Sequence, residues 1–213
     1  MEPVSLVLAM VGGALGGAAD RFATRWPEHD AEHPAGRTVG WRTIVCGVVG
    51  AVAFGLLPVR FSGDLLALGL FGLWFATMVV GLATDLDQRL LPDELTLPVI
   101  PVALVYAMSG ANPLVGGAWV IALVAAIVIP AILYLPSIPF GAGAFGLGDV
   151  KFLAGMALMV GAERALGGVL VGLLAGGAVL LVLLATRRIG RRSYVPFGPF
   201  LIFGALWAVL IRA

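Results

Sequence analysis

Long apolar runs separated by short polar breaks dominate the chain. A helix of about 20 apolar residues spans the hydrocarbon core of a bilayer, and eight runs of the sequence suit such helices. They cover residues 3–20, 43–59, 65–84, 95–110, 113–135, 150–162, 165–186 and 196–212. The breaks hold Pro, Gly or charged residues, as connections do. The pattern predicts an all-α polytopic membrane protein with about eight transmembrane helices.

The sixth run is shorter than the others. Its 13 residues, 150–162, would rise only about 20 Å as a helix, against a hydrocarbon core of about 30 Å. Part of the crossing would then fall to the glycine-rich stretch before it. Because irregular backbone at membrane depth survives only beside protein or water, a wet recess is expected near Gly146 to Asp149.

Composition excludes several classes of protein. The chain is 61% hydrophobic and 12% charged, with a mean hydropathy of +1.06, whereas soluble domains are roughly a quarter charged. A net charge of +1 gives no general basic surface for nucleic acid. Cys46 is the single cysteine, which rules out an internal disulfide and a CxxC zinc site. The first run carries Glu2 before it and no cation, so a retained helix is favoured over a signal peptide.

Positive charge lies mainly on one side of the predicted spans. Loops after odd-numbered spans hold ten of the 13 Lys and Arg residues. Because cytoplasmic loops carry the excess of Lys and Arg, these loops are predicted to be cytoplasmic and both termini to lie outside. The ten are Arg21, Arg25, Arg37, Arg42, Arg89, Lys151, Arg187, Arg188, Arg191 and Arg192. The last four stay on that side only if the short sixth segment crosses.

Two aspartates stand at the ends of predicted spans. Asp85 lies near the end of the third span, and Asp149 lies where the chain enters the sixth. Two crossings separate them, so both are expected on the cytoplasmic face although they are 64 positions apart. Ionisable residues in membrane segments are costly and mark candidate functional sites.

A pair of neighbouring carboxyls suits acid–base chemistry. Two carboxyls close together cannot both ionise easily, so one stays protonated. One then acts as a base on a water, and the other as an acid on the carbonyl or the leaving amine. Aspartic proteases use this arrangement, which titrates as a pair and requires no metal.

The same residues also allow purely structural interpretations. Asp149 could cap the start of the sixth helix, and Lys151 could extend its amine to lipid phosphate. Asp93 suits a helix start. Asp87 and Arg89 are interpreted mainly as a solvated helix end.

One motif resembles a known family. GLGDVK resembles the GxGD motif of intramembrane aspartyl proteases, and its context, GAFGLGDVKFLAG, is similar to the type IV prepilin peptidases. The resemblance implies that Asp149 is the catalytic GxGD aspartate. It also implies that Gly146, Gly148 and Lys151 support the active site.

A second motif resembles the same family. TDLDQRLLPDELTLP is similar to its first aspartate motif, in which an Asp is followed seven residues later by Pro and then by Asp or Asn. Asp85 would then be the other catalytic aspartate, supported by Pro92 and Asp93. VPFGPFLIFGAL, residues 195–206, resembles the family's last helix. The resemblance implies one membrane domain over 1–213, with N-terminal helices and a shortened cytoplasmic loop in 1–60 and a peptidase-like core in 65–212.

The N-terminal part resembles the family less closely. Gly12, Gly16, Arg25 and Pro27 fit the spacing of long-form members, with Asp20 in place of an Asn. Long forms then carry a cytoplasmic insert with two CxxC pairs, whereas this chain has only residues 28–41 there and no cysteine. The resemblance implies a shortened form without the zinc-binding insert, and N-methyltransferase activity is not predicted.

The family also implies a substrate and a location. Substrates would be type IV pilin-like precursors, pseudopilins or Tad/Flp pilins, each with a short basic leader before an apolar helix. Cleavage would occur at the cytoplasmic face of the inner (plasma) membrane, in a multi-pass protein whose partners are the precursor and the lipid bilayer. No cofactor, metal or nucleic acid is expected.

Three other functions fit parts of the sequence. HDAEH, residues 29–33, matches an inverted zinc-protease pattern, but Pro27 and Pro34 leave little room for the helix that it needs. A small transporter or channel would also hold intramembrane carboxylates, although no internal repeat supports it. A catalytically silent assembly factor is the third, and the intact aspartates argue against it.

Overall fold

A computed structural model describes residues 3–29, 35–140, 145–190 and 195–211. These residues form helices joined by short connections, and no strand occurs among them. The helices are α1 (Pro3–Ala23), α2 (Trp41–Arg60), α3 (Leu65–Gln88), α4 (Asp93–Thr96), α5 (Val99–Met108), α6 (Trp119–Tyr134), α7 (Leu147–Val160), α8 (Ala162–Ala185) and α9 (Gly198–Leu210). A 3-10 helix, Leu135–Phe140, extends α6. The predicted all-α class is confirmed.

Five helices of the described residues are long and apolar enough to cross a membrane. They are α1, α2, α3, α8 and the segment Trp119–Pro139, which joins α6 to its extension. Each of the eight predicted runs contains a helix, but α5, α7 and α9 have only 10, 14 and 13 residues. Eight crossings and outward termini therefore stay predictions.

Two predicted boundaries are wrong for identifiable reasons. The fourth run is divided at Leu97 and Pro98, since α4 ends before them and α5 begins after them, and proline cannot donate the hydrogen bond that a continuous helix needs. In the fifth predicted span, helix α6 begins at Trp119 rather than at residue 113. Before it, the Asn112 side chain accepts from the Leu114 backbone N–H and donates to the Met159 carbonyl, both at 2.9 Å.

Glycines let two helix pairs approach closely. A Cβ on Gly12 of α1 would collide with the carbonyl of Gly50 in α2, and one on Gly204 of α9 with that of Gly168 in α8. Small residues are typical of such contacts between membrane helices, because packing at short range replaces the hydrophobic driving force there. The helix α3 packs on α1, α2 and α9. These contacts hold in place the end of α3 that carries Asp85.

Candidate functional site

Asp85 lies in the last turn of α3 and is 4% exposed. Its backbone carbonyl accepts from the N–H of Arg89 at 2.9 Å, and Arg89 adopts a left-handed conformation that ends the helix. Its side-chain Oδ2 is buried and has no hydrogen-bond partner among the described residues. A carboxyl buried without full hydrogen bonding is costly to stability, which is typical of a functional rather than a structural position.

Asp149 lies in the first turn of α7. Its Oδ2 accepts a hydrogen bond from the backbone N–H of Gly146 at 3.3 Å. Gly146 is the N-cap residue and Asp149 the third residue of the helix, so Asp149 contributes to capping but the interpretation of Asp149 as the N-cap itself is wrong. A carboxylate offers about four acceptor positions on its two oxygens. Capping therefore leaves Asp149 able to bind a water or a substrate group.

Two contacts bring the two aspartate segments together. A Cβ on Gly148 would lie 2.6 Å from the Leu91 carbonyl oxygen, so the start of α7 packs directly on the backbone that follows α3. The Lys151 Nζ donates to Asp93 Oδ1 at 2.5 Å. As a result, the turn of α7 that carries Asp149 lies beside the end of α3 that carries Asp85, and the two carboxyls interact electrostatically. We call Asp85 and Asp149 the aspartate pair.

The predicted supporting residues surround the aspartate pair. Pro92 precedes α4, and its carbonyl accepts from the backbone N–H groups of Leu95 and Thr96 at 3.1 and 3.2 Å. Asp93 begins α4 and pairs with Lys151, as described above. Gly148 is required by close packing, whereas a Cβ on Gly146 would meet Asp149 Oδ2 at 3.4 Å, an ordinary contact distance. The structure therefore gives the two glycines different roles.

Gly198 is a site residue that the sequence did not single out. A Cβ there would lie 2.7 Å from the Asp85 Cγ, and the backbone N–H of Gly198 faces the same carboxyl. The preceding Phe197 ring lies 6.1 Å from that of Phe145, which precedes the GxGD residues. The start of α9 thus closes the site beside both aspartates. The motif at 195–206 was the available signal, but it did not specify which residue touches Asp85.

A separate cluster of charged side chains lies next to the site. Asp87, 9% exposed, accepts hydrogen bonds from Arg37 Nε at 2.8 Å and Arg42 Nη1 at 2.9 Å, and its Oδ2 lies 3.2 Å from His29 Nε2. The interpretation of Asp87 as part of a solvated helix end is therefore wrong. Arg37 lies in the loop before α2 and Arg42 in the first turn of α2, and no local sequence pattern encodes their approach to Asp87.

Arg37 connects this cluster to α1. Its Nη2 donates to Asp20 Oδ1 at 2.8 Å, and Asp20 is fully buried and also accepts from Arg21 and from the Thr43 hydroxyl. Burial lowers the pKa of the Arg37 guanidinium, but its hydrogen bonds to Asp20 and Asp87 outweigh burial and raise that pKa. A guanidinium with two carboxylate partners ties the N-terminal helices to the end of α3.

The zinc-protease pattern gains no support from the part that is described. His29 pairs with Asp87, while residues 30–34, which hold the rest of HDAEH, lie outside the described residues. Within the described ranges, no group of three His, Cys, Asp or Glu side chains could hold a metal ion.

Asp87→Asn should lower stability more than it lowers chemistry. The change leaves Arg37 and Arg42 without their shared carboxylate, and removing one partner of a buried ion pair leaves an uncompensated charge. We expect a clear fall in the thermal unfolding midpoint in detergent, with turnover per folded molecule within about threefold of the parent. A group that transfers no proton in the reaction is expected to change the turnover rate only slightly. A loss of turnover as large as that of Asp85→Asn, at unchanged stability, would place Asp87 in the reaction itself.

Comparison with known proteins identifies one family. The family model described as type IV leader peptidase family matches residues 70–182, which include Asp85, Asp149 and all the supporting residues named above except those of α9. No solved structure matches the chain significantly.

Curated relatives carry one description, prepilin leader peptidase/N-methyltransferase. The chain is similar to that of Burkholderia pseudomallei, with 34% identity over 155 residues, which cover 73% of this chain and 50% of the relative. It is similar to that of Dickeya chrysanthemi at 28% over 179 residues, covering 84% of this chain and 63% of the relative. It is similar to that of Aeromonas hydrophila at 29% identity over 127 residues, covering 60% of this chain and 43% of the relative. The chain spans about half the length of the first of these relatives.

Proposed function

Because the chain belongs to the type IV leader peptidase family, we propose that it is an intramembrane aspartic endopeptidase. Its substrates are type IV pilin-like precursors, including pseudopilins and Flp pilins, and it removes the basic leader that precedes their apolar helix. The observation that carries the proposal is the approach of Asp149 to the buried Asp85 through the contact of Gly148 with Leu91. That contact joins two segments which are distant in sequence into one acid–base site.

The reaction needs one carboxyl of the aspartate pair protonated and the other ionised. The ionised carboxylate removes a proton from a water, whose oxygen then attacks the scissile carbonyl carbon. The protonated carboxyl donates its proton to the carbonyl oxygen, which gives a tetrahedral intermediate. As the C–N bond breaks, the carboxyl that took the proton from water passes it to the leaving nitrogen, and the first carboxyl regains a proton from a hydroxyl of the intermediate. Mutual repulsion keeps the two from ionising together, so the pair shares a single proton before and after each turnover.

The distribution of cations supports the proposed membrane face. Arg21, Arg37 and Arg42 gather around Asp20 and Asp87 at the end of α3 that carries the aspartate pair. Because cationic residues are retained on the cytoplasmic side of membrane proteins, cleavage is proposed at the cytoplasmic face of the inner membrane. The chain is a multi-pass protein there, in contact with lipid and with its precursor substrate.

Methyl transfer is not part of the proposal. The curated relatives are described as having both activities, but this chain spans about half of the first of them. The connection between α1 and α2 is short and carries no cysteine. We propose leader cleavage alone, and incorporation of a methyl group from S-adenosylmethionine at the new N-terminus would contradict it.

Cleavage should be insensitive to chelators. We expect the purified protein in detergent or liposomes to shorten a pilin-like precursor by its leader, with rates unchanged by EDTA or phenanthroline, because carboxyl acid–base catalysis needs no metal. Mass spectrometry of both products locates the cut. Loss of activity on chelation and recovery on adding zinc would replace the aspartyl mechanism with a metal-dependent one.

A further inference from the structure

A groove separates the two halves of the proposed active site. The helix α3 packs on α1, α2 and α9, and α5 packs on α7, but within the described residues the backbone of α3 scarcely approaches α5 or α7. The gap narrows at one end, where Gly148 packs against Leu91. It is closed at the other by Phe71 and Tyr106, whose rings lie 6.2 Å apart. Between these two contacts an elongated space opens to the surface of the bundle.

The groove begins about one helical turn from the aspartate pair. Its first part is lined by Gly81, Leu91, Phe152 and Ile202. Gly81 lies one helical turn before Asp85, and Phe152 lies one turn after Asp149. An extended segment leaving the aspartate pair in this direction therefore enters the groove.

The rest of the groove is apolar and open to the side. It widens into a cavity of about 200 Å³ lined mainly by Leu70, Leu73, Trp74, Val99, Val102 and Met159. Trp74, Thr77, Leu95 and Val99 line both parts, so the space is continuous. Leu73 is 61% exposed and Val102 is 47% exposed, on opposite walls. From Gly81 to Leu70 the groove follows α3 for about 17 Å, or three helical turns.

We propose that this groove is the docking site for the apolar helix of the precursor. The inference rests on the proposed function, since it takes its occupant from that substrate class. A helix that lies in the groove starts about one turn from the aspartate pair, so the extended junction between leader and helix reaches the carboxyls. The sideways opening lets the helix enter from the bilayer, where a membrane-inserted precursor already lies.

Charge at the head of the groove fits the other part of the precursor. The aspartate pair and the exposed Asp93 lie there, and Glu94 lies where the groove widens. Lys151 is already paired with Asp93, and Arg37 and Arg42 with Asp87, so the aspartate pair and Glu94 are the carboxyls left to meet a cationic segment. A basic leader is attracted to this end of the groove, whereas lipid tails have no charge that would be recognised there.

Filling the groove should weaken cleavage of long precursors selectively. Val102→Trp places an indole in the cavity, and Val105→Trp is the matched control, because Val105 is on the same helix, is 68% exposed and lines neither part of the groove. The substrates are a full precursor and a peptide cut off shortly after the junction. We expect Val102→Trp to lower the ratio of kcat/KM for long over short substrate at least about tenfold, as loss of a central contact does. Val105→Trp should keep the parent ratio, and equal ratios in both variants would overturn the docking site.

Photo-crosslinking detects docking of the precursor independently of cleavage. A photoreactive amino acid at position 73 lies in the groove, and one at position 181, where Leu181 is 69% exposed on α8, is the control. In an Asp149→Asn background, we expect a precursor adduct from position 73 and none from position 181. If the parent cleaves nothing and this adduct still forms, docking stands and the peptidase proposal fails. Adducts with phospholipid alone, or with a second copy of this chain alone, would overturn the docking proposal.

Discussion

Asp85→Asn and Asp149→Asn should each reduce leader cleavage by about a thousandfold or more, with the protein still folded in the membrane. An amide cannot exchange a proton with water or with a leaving amine, and general acid–base catalysis contributes about 10²–10⁴-fold for each group. Because the two carboxyls share one proton, losing either removes both roles. The assay is the rate of leader release, normalised to folded protein by thermal unfolding.

Asp64→Asn is the matched control for this loss of a carboxylate. Asp64 caps α3 at the end opposite Asp85, where its Oδ1 accepts from the Ala67 backbone N–H at 2.9 Å. Asn caps helices about as well as Asp, so cleavage by this variant should match that of the parent. Near-normal turnover in Asp85→Asn or Asp149→Asn would rule out the acid–base pair.

Adding one methyl group at Gly198 or at Gly148 should lower cleavage about a hundredfold. At Gly198 the new carbon would lie 2.7 Å from the Asp85 Cγ, and at Gly148 it would lie 2.6 Å from the Leu91 carbonyl oxygen. In the first case the carboxyl has to move, and in the second the start of α7 has to withdraw from α3. Displacements of about 1 Å between reacting groups cost about a hundredfold in rate.

Two other glycines supply the comparison. An alanine at Gly177 of α8 meets nothing within 4 Å and should leave cleavage unchanged. An alanine at Gly146 should have an effect much smaller than at Gly148, because its Cβ meets Asp149 Oδ2 at 3.4 Å. Equal losses at Gly146 and Gly148 would show that backbone freedom in this segment matters, rather than the approach of α7 to Leu91.

The helices were predictable because the apolar runs are long and uninterrupted. Deviations occur where side chains act across the sequence. Asn112 reaches the carbonyl of Met159 and delays the start of α6, and a pattern of apolar residues does not show such a bond. Pro98 was visible in the sequence. Whether a proline in an apolar run interrupts the helix depends on whether neighbouring groups satisfy the backbone groups that it leaves without hydrogen bonds.

Part of the site was also predictable from the apolar runs, because they show where each span ends. The positions of Asp85 and Asp149 at span ends, together with the two motifs, placed both residues on one expected face. The contact of Gly198 with Asp85 could not be predicted, because it depends on how far α9 tilts toward α3. Asp87 was misjudged because its partners Arg37, in the loop before α2, and Arg42, in the first turn of α2, lie 45 to 50 positions away, and surface charges near helix ends are usually solvated.

The central claim, that Asp85 and Asp149 form one site at the cytoplasmic end of the bundle, is tested most directly with paired cysteines. Cys46→Ser removes the natural thiol, and cysteines then replace Asp85 and Asp149 singly and together. A thiol reagent that cannot cross membranes, applied to oriented vesicles, reports the face, and a short bifunctional reagent reports the distance. We predict labelling of both positions from the cytoplasmic side only and a crosslink within one chain of the double variant. Labelling of either position from outside, or a double variant that labels twice but never crosslinks, would contradict the account.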